Sequence, residues 1–163
     1  MVALKVEDVR SFTSKLFVKE DFDRFLVKEI NIITYNSFTI DGHVRQGYYT
    51  QEELEENRIE DFSSWKMLRP LCFSLIKGKK LPGSFHIVLS LAPGDVEKFA
   101  SSLGTGIDGS QIQGLYLNIR YEDGALYCIT GTSLNFFTLD KTLETEWDNA
   151  VKDFMRSHEI VCT

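Results

Sequence analysis

Asp41-Gly42-His43 places a carboxylate and an imidazole on either side of a glycine, in the kind of loop on which general acids and bases are often mounted. If a third polar group met them in a concave site, and the nearby acidic segment helped, the pair would predict a small hydrolase. Asp-Gly is first of all a turn signal, so the same residues can simply reverse the chain. His86 and His158 lie far from His43, and no H-x-x-x-H or H-E-x-x-H spacing exists to gather a metal. Cys72, Cys128 and Cys162 are odd in number and widely spaced, which suits neither a disulfide framework nor a zinc site. Cys128 alternates with Leu126, as a core thiol would. The expectation is no metal and no cofactor.

The remaining motifs are weaker. Gly104-Thr105-Gly106-Ile107-Asp108-Gly109 matches G-x-G-x-x-G, but dinucleotide binding needs that loop to follow a strand and open a helix. Here a helix precedes it and a strand follows, so it reads as a flexible connection. Gly131-Thr132-Ser133 is read as a bulge where one strand hands over to the next, and there is no G-x-S-x-G elbow or Walker A loop. Six of the ten residues at 52–61 are acidic, a solvated helix face first and an acidic docking surface second. Lys77, Lys79 and Lys80 flank Gly78 and complement a helix C-terminus; an anion patch is the alternative.

A binding surface is written more clearly. Ile112, Leu115, Leu117, Ile119 and Tyr121 precede Asp123-Gly124, and Leu126, Cys128 and Thr130 follow it, which predicts a hairpin with a type I′ loop. Tyr121 then faces Leu126, Ile119 faces Cys128 and Leu117 faces Thr130 on an apolar face. The opposite face carries Tyr116, Asn118, Arg120 and Tyr127, and Arg120 opposite Tyr127 suggests a cation–π pair or the floor of a binding site. Tyr116, Arg120 and Tyr127 are the candidate binding residues.

These groups must be held by the rest of the chain. A short strand at 3–6 and a helix at 7–17 lead into a second hairpin, from Phe25 to Tyr35 and Phe38 to Ile40 around Asn36-Ser37. Thr50 with Glu53 three residues on predicts a capping box and a short helix. Ser63 or Ser64 caps a turn with Trp65 and Leu68, and Pro70 opens a nearly all-apolar, buried helix through Lys77. Alternation at 85–91 predicts a strand, and Pro93 starts a helix ending at Gly104. A strand at 134–139 and a helix capped by Asp140 or Thr142, with Leu143, Trp147, Val151 and Phe154 on one stripe, follow. After His158 the tail is loose or an edge strand.

Strand, helix and hairpin thus occur in order at 3–44 and again at 84–139, with a helical insertion at 50–78 and a terminal helix at 140–158. The expected fold is α+β, one domain with an antiparallel sheet and helices on one face. The 163 residues, 43% hydrophobic and 26% charged, suit a single core. A formal net charge of −6 disfavours nucleic acid and anionic lipid as partners. No run is long and apolar enough to span a bilayer, and the first residues lack the layout of a secretory signal, so a cytoplasmic protein with reduced thiols is expected.

Two resemblances follow from the residues. Cys128-Ile129-Thr130-Gly131-Thr132-Ser133-Leu134-Asn135-Phe136-Phe137-Thr138-Leu139-Asp140-Lys141, with Leu143-Glu144 and Trp147-Asp148, resembles the closing signature of a family of uncharacterised proteins from low-GC Gram-positive bacteria. Thr39-Ile40-Asp41-Gly42 and Leu75-Ile76-Lys77-Gly78-Lys79 do the same, and the resemblance implies no activity. Leu91-Ala92-Pro93 before Phe99, then Leu115 to Tyr121 and Leu126 to Leu139, is similar in order to one domain of a bacterial DNA sliding clamp. That resemblance implies a duplicated strand-helix-hairpin and a clamp-like accessory protein. The insertion has no counterpart there, one domain cannot form a ring, and the helices lack the basic excess of a DNA channel.

Two classes of function remain: a non-catalytic binding or assembly module, meeting a protein partner or a second copy through an exposed sheet, and the hydrolase built on Asp41 and His43. The module is favoured, because nothing else converges on that pair.

Overall fold

The computed structural model describes residues 1–163 apart from Lys79 and Thr105, so one lysine of the basic run and one residue of the glycine motif lie outside the described residues. Among the described residues the chain runs β1 (Ala3–Lys5), α1 (Val9–Phe17), β2 (Leu26–Ile33), β3 (Ser37–Asp41), α2 (Gln51–Glu56), α3 (Trp65–Ile76), β4 (Ser84–Ser90), α4 (Pro93–Leu103), β5 (Ile112–Glu122), β6 (Ala125–Leu134) and α5 (Thr142–Ser157). The strands form one antiparallel six-stranded sheet in the order β1-β6-β5-β4-β2-β3, in a single α+β domain.

The β5–β6 hairpin organises it. Asp123 (φ 52°) and Gly124 (φ 78°) both take left-handed backbone, as a type I′ loop requires. Tyr121 pairs with Leu126, Ile119 with Cys128 and Leu117 with Thr130, the register that alternation predicted. Their inward side chains join Ile87 and Leu89 of β4 and Ile30 and Ile32 of β2 in the core.

The helices cover that inward face. Phe17 of α1 meets Phe85 of β4 edge-on at 5.3 Å, and Trp65 of α3 donates its indole N–H to the Leu16 carbonyl at 2.8 Å. Trp147 of α5 donates to the Tyr116 carbonyl at 3.0 Å and meets Phe99 of α4 at 5.7 Å. Side chains set the ends: Asp8 caps α1, Thr50 and Glu53 form the reciprocal box of α2, and Gly104 closes α4 in left-handed backbone (φ 63°). Arg69 of α3 grips Asp23 with two guanidinium N–H groups at 2.9 and 3.0 Å, so the loop after α1 is tied to α3.

Several expectations need correction. Helix α3 begins at Trp65, capped by the Ser64 hydroxyl, and Pro70 sits inside it rather than opening a helix. Nor is it buried all round: Trp65 and Cys72 face the core, whereas Met67, Leu71 and Phe73 are exposed, because only one stripe reaches the sheet. Within the helical insertion expected at 50–78, α3 places fully covered Trp65 in the main core. No separate strand forms at 134–139, of which Leu134 alone is extended, as the end of β6. β6 runs straight through Gly131-Thr132-Ser133 to Leu134, the irregularity falls on β5 between Ile112 and Gly114, and Phe137 and Leu139 are left in solvent. The caps expected for α5 are shifted too, since Lys141 holds the cap position without a side-chain cap bond and Asp140, one residue before it, accepts from the Thr142 N–H at 2.9 Å.

The tail does form an edge: Lys5 and Thr163 exchange backbone hydrogen bonds at 3.1 and 2.9 Å beside β1. The element order strand-helix-hairpin occurs twice, yet the pairings are not equivalent. β1 lies against β6, whereas β4 lies between β5 and β2.

Candidate functional site

At one end of the sheet the outward face stops against a wall, and the residues there are set by a bulge. Strand β2 shifts register against β4 between Val27 and Glu29, which leaves Lys28 as the extra residue. The segment after α2 then lies down along this irregularity: Val27 N–H donates to the Ser63 carbonyl at 2.8 Å, Ser63 N–H to the Gly42 carbonyl at 2.9 Å, and Gly42 N–H to the Lys28 carbonyl at 3.0 Å. Gly42 is required there, because a Cβ would stand 1.8 Å from the Val27 carbonyl oxygen. The result brings Phe62 opposite His43.

Tyr116 forms the floor. Its ring lies back over Gly114, where an added Cβ would come within 2.2 Å of the phenol, and Gly131 leaves room on the neighbouring strand. The Lys28 ammonium sits 4.0 Å from the Phe62 ring centre and 5.8 Å from that of Tyr116, a cation held by two aromatic faces. His43 packs on Phe62 at 4.3 Å, and its Nδ1 meets the Asp41 carboxylate at 2.8 Å. Asp41 also accepts the backbone N–H of His43 at 3.0 Å. That backbone donor first, and the ring second, hold the Asp41 carboxyl below the usual carboxylate range.

A cleft of about 330 Å³ opens between Lys28, Phe62 and Tyr116 on one side and the start of α4 and residues 109–114 on the other. Carboxylates of Glu60, Asp61 and Glu97 line it, with Ser90 and the edges of Leu91, Val96 and Ile112. Gly109 is the close-approach point of the far wall, since a Cβ there would meet the Glu97 Cγ at 2.8 Å.

The sequence candidates divide accordingly. Asp41, His43 and Tyr116 fall in one neighbourhood, joined through Phe62 and Lys28. Asp41 and His43 are more than half exposed, at 56% and 58%, and the third polar group near them is the Arg45 guanidinium at 3.8 Å, a cation rather than a nucleophile. Arg120 and Tyr127 are cross-strand partners farther along the open face, with Arg120 exposed, and no cation–π contact joins them among the described residues. Lys77 and Lys80 are exposed. His158 meets Asp21 at 2.8 Å on the far side, apart from His43. Burial pushes the Cys72 thiol up to about 12 and Cys128 well above its ordinary value, so neither is a nucleophile.

The candidate residues named from the sequence miss Lys28, Phe62 and Ser90. A lone lysine in a strand looks like an ordinary outward residue, and only the bulge turns it toward the cleft. Ser90 could have been flagged, because Ser90-Leu91-Ala92-Pro93 ends a strand directly before a helix N-terminus.

Among the described residues no group of three His, Cys, Asp or Glu side chains could hold a metal ion, and no helix is long and apolar enough to cross a membrane. No curated protein sequence and no solved structure matches this chain. The family model described as a family of unknown function, DUF5721, matches residues 15–162, and the chain belongs to that family.

Proposed function

We propose that the protein is a non-catalytic binding or assembly module that works through the open face of its sheet. The observation that carries this reading is the one-sided layering: every helix packed on the sheet lies on the inward face. Across the outward face the register aligns Lys5, Tyr127, Arg120, His86, Asn31 and Thr39 in one row. Such a row offers aromatic, cationic and amide groups to a protein surface. Strand β3 leaves the sheet open at its edge, where a second copy can pair. The free thiols, with Cys72 and Cys128 buried, suit a reducing cytoplasm.

Light scattering tests the proposal. The expected result is association beyond the 18.7 kDa of one chain that weakens in Arg120→Glu and Tyr127→Ala. A chain that stays single at every concentration would overturn self-association.

One observation favours a hydrolytic reading: Asp41 fixes Nδ1 of His43 and leaves Nε2 without a partner among the described residues. Its test is turnover of a panel of activated esters and phosphate esters, lost in His43→Ala. The clamp-like accessory reading gains less support, because the open face mixes Arg120 and Lys5 with Glu29 and Asp41 rather than presenting a basic stripe.

A further inference from the structure

The cleft beside Tyr116 holds charges of both signs that do not meet. Among the described residues Lys28 makes no ion pair, and its ammonium rests only on the rings of Phe62 and Tyr116. Among the described residues the Glu60 and Glu97 carboxylates have neither ion pair nor hydrogen bond, and the Asp61 carboxylate accepts only the Gln46 amide, at 3.5 Å. Unpaired opposite charges around one small volume are the complement of a molecule that carries both.

Ser90 supplies an independent sign of a ligand. It is 7% exposed, lines the cleft, and its hydroxyl has no hydrogen-bond partner among the described residues. Among the described residues the one fully covered polar side-chain atom lacking a partner is Oγ1 of Thr34, outside the cleft, so the Ser90 hydroxyl is still reachable from the cleft. A nearly buried hydroxyl costs stability unless something satisfies it. Beside it α4 begins with Pro93, its cap residue Ala92 offers no side-chain acceptor, and the Asp95 and Val96 N–H groups turn back to the Ala92 carbonyl, so the Gly94 N–H is the donor left at the start of this 11-residue helix.

We propose that this cleft binds a free α-amino acid with an apolar side chain. Its carboxylate takes Lys28, the Ser90 hydroxyl and the start of α4; its ammonium takes the Glu60, Asp61 and Glu97 carboxylates. The nearly buried Leu91, Val96 and Ile112 receive the side chain. A dianion such as a phosphate ester is disfavoured by three carboxylates against one ammonium. The volume suits a single amino acid, since it lies at the low end for small-ligand pockets.

This rests on the reading of the chain as a binding module, and the test separates the two. Titration calorimetry of the whole chain is run with L-leucine, with 4-methylpentanoate, which lacks the ammonium, and with 3-methylbutylamine, which lacks the carboxylate. The expected result is one site for L-leucine, with both analogues at least about tenfold weaker, as loss of a charge-assisted contact implies. Lys28→Met keeps the stem between the rings and should weaken L-leucine by about tenfold or more, and Ser90→Ala by about threefold to tenfold. Lys19→Ala, exposed and outside the cleft lining, should leave it unchanged. Absence of heat with L-leucine and with L-phenylalanine overturns the proposal, as does equal affinity for either analogue or an unchanged affinity in both Lys28→Met and Ser90→Ala at unaltered melting temperature. Ligand recovered chemically unchanged supports the module; ligand converted during incubation overturns the module while leaving the site in place.

Discussion

At Asp41 the sign of the pH effect follows from its donors. A carboxyl held low by hydrogen bonds adds stability that is present above the ordinary carboxylate value and is lost as pH falls through the folded value. His43→Ala removes the ring but keeps the backbone N–H, so carboxyl NMR should show Asp41 moving only part of the way back up; a full return would mean that the ring dominates. Gly42→Ala presses a methyl group into the Val27 carbonyl and should cost about 2–4 kcal/mol in denaturant unfolding. At ordinary alkylation pH the covered thiols of Cys72 and Cys128 should react far more slowly than half-exposed Cys162, with the three equal after unfolding. Asp41, His43 and Tyr116 were legible in the sequence because turn glycines and strand alternation mark them. Lys28 was not, since a bulge depends on which strand lies alongside.

For the elements, legibility tracked how local the cause was. The β5–β6 register could be read because Asp123-Gly124 and period-two alternation act within a few residues. The capping box at Thr50 was equally local. Pro70 misled because its usual place is the first turn, whereas here tertiary packing of Trp65 and Cys72 carries the helix through it. The apolar residues at 136–139 misled because β-propensity does not supply a neighbouring strand. Two element-level outcomes follow. Pro70→Ala restores a donor toward the Lys66 carbonyl and should stabilise by about 1–3 kcal/mol, seen as a higher thermal midpoint. Arg69→Ala leaves Asp23 without its fork and should cost about 2–4 kcal/mol; a cost below about 1 would make the pair a surface contact in energetic terms.

At the scale of the molecule, the sheet is the part least able to open alone. Strands β4 and β5 are flanked on both edges and carry Ile87, Leu89, Leu117 and Ile119 in the core, so their amides should exchange only with global unfolding. Helix α2, which buries no residue, should exchange many orders faster by local opening. Equal protection across the two would show that α2 is held by something on the open side.

The two indoles of the core have different neighbours. Trp65 is locked to the Leu16 carbonyl among Phe17 and the α1–α3 contact, while Trp147 is bonded to the carbonyl of Tyr116, whose ring floors the cleft. Intrinsic emission therefore contains two spatially separate reporters. A Trp65→Phe chain would light only the cleft end, and a Trp147→Phe chain only the helical end, so occupancy and unfolding could be followed by colour without an attached dye.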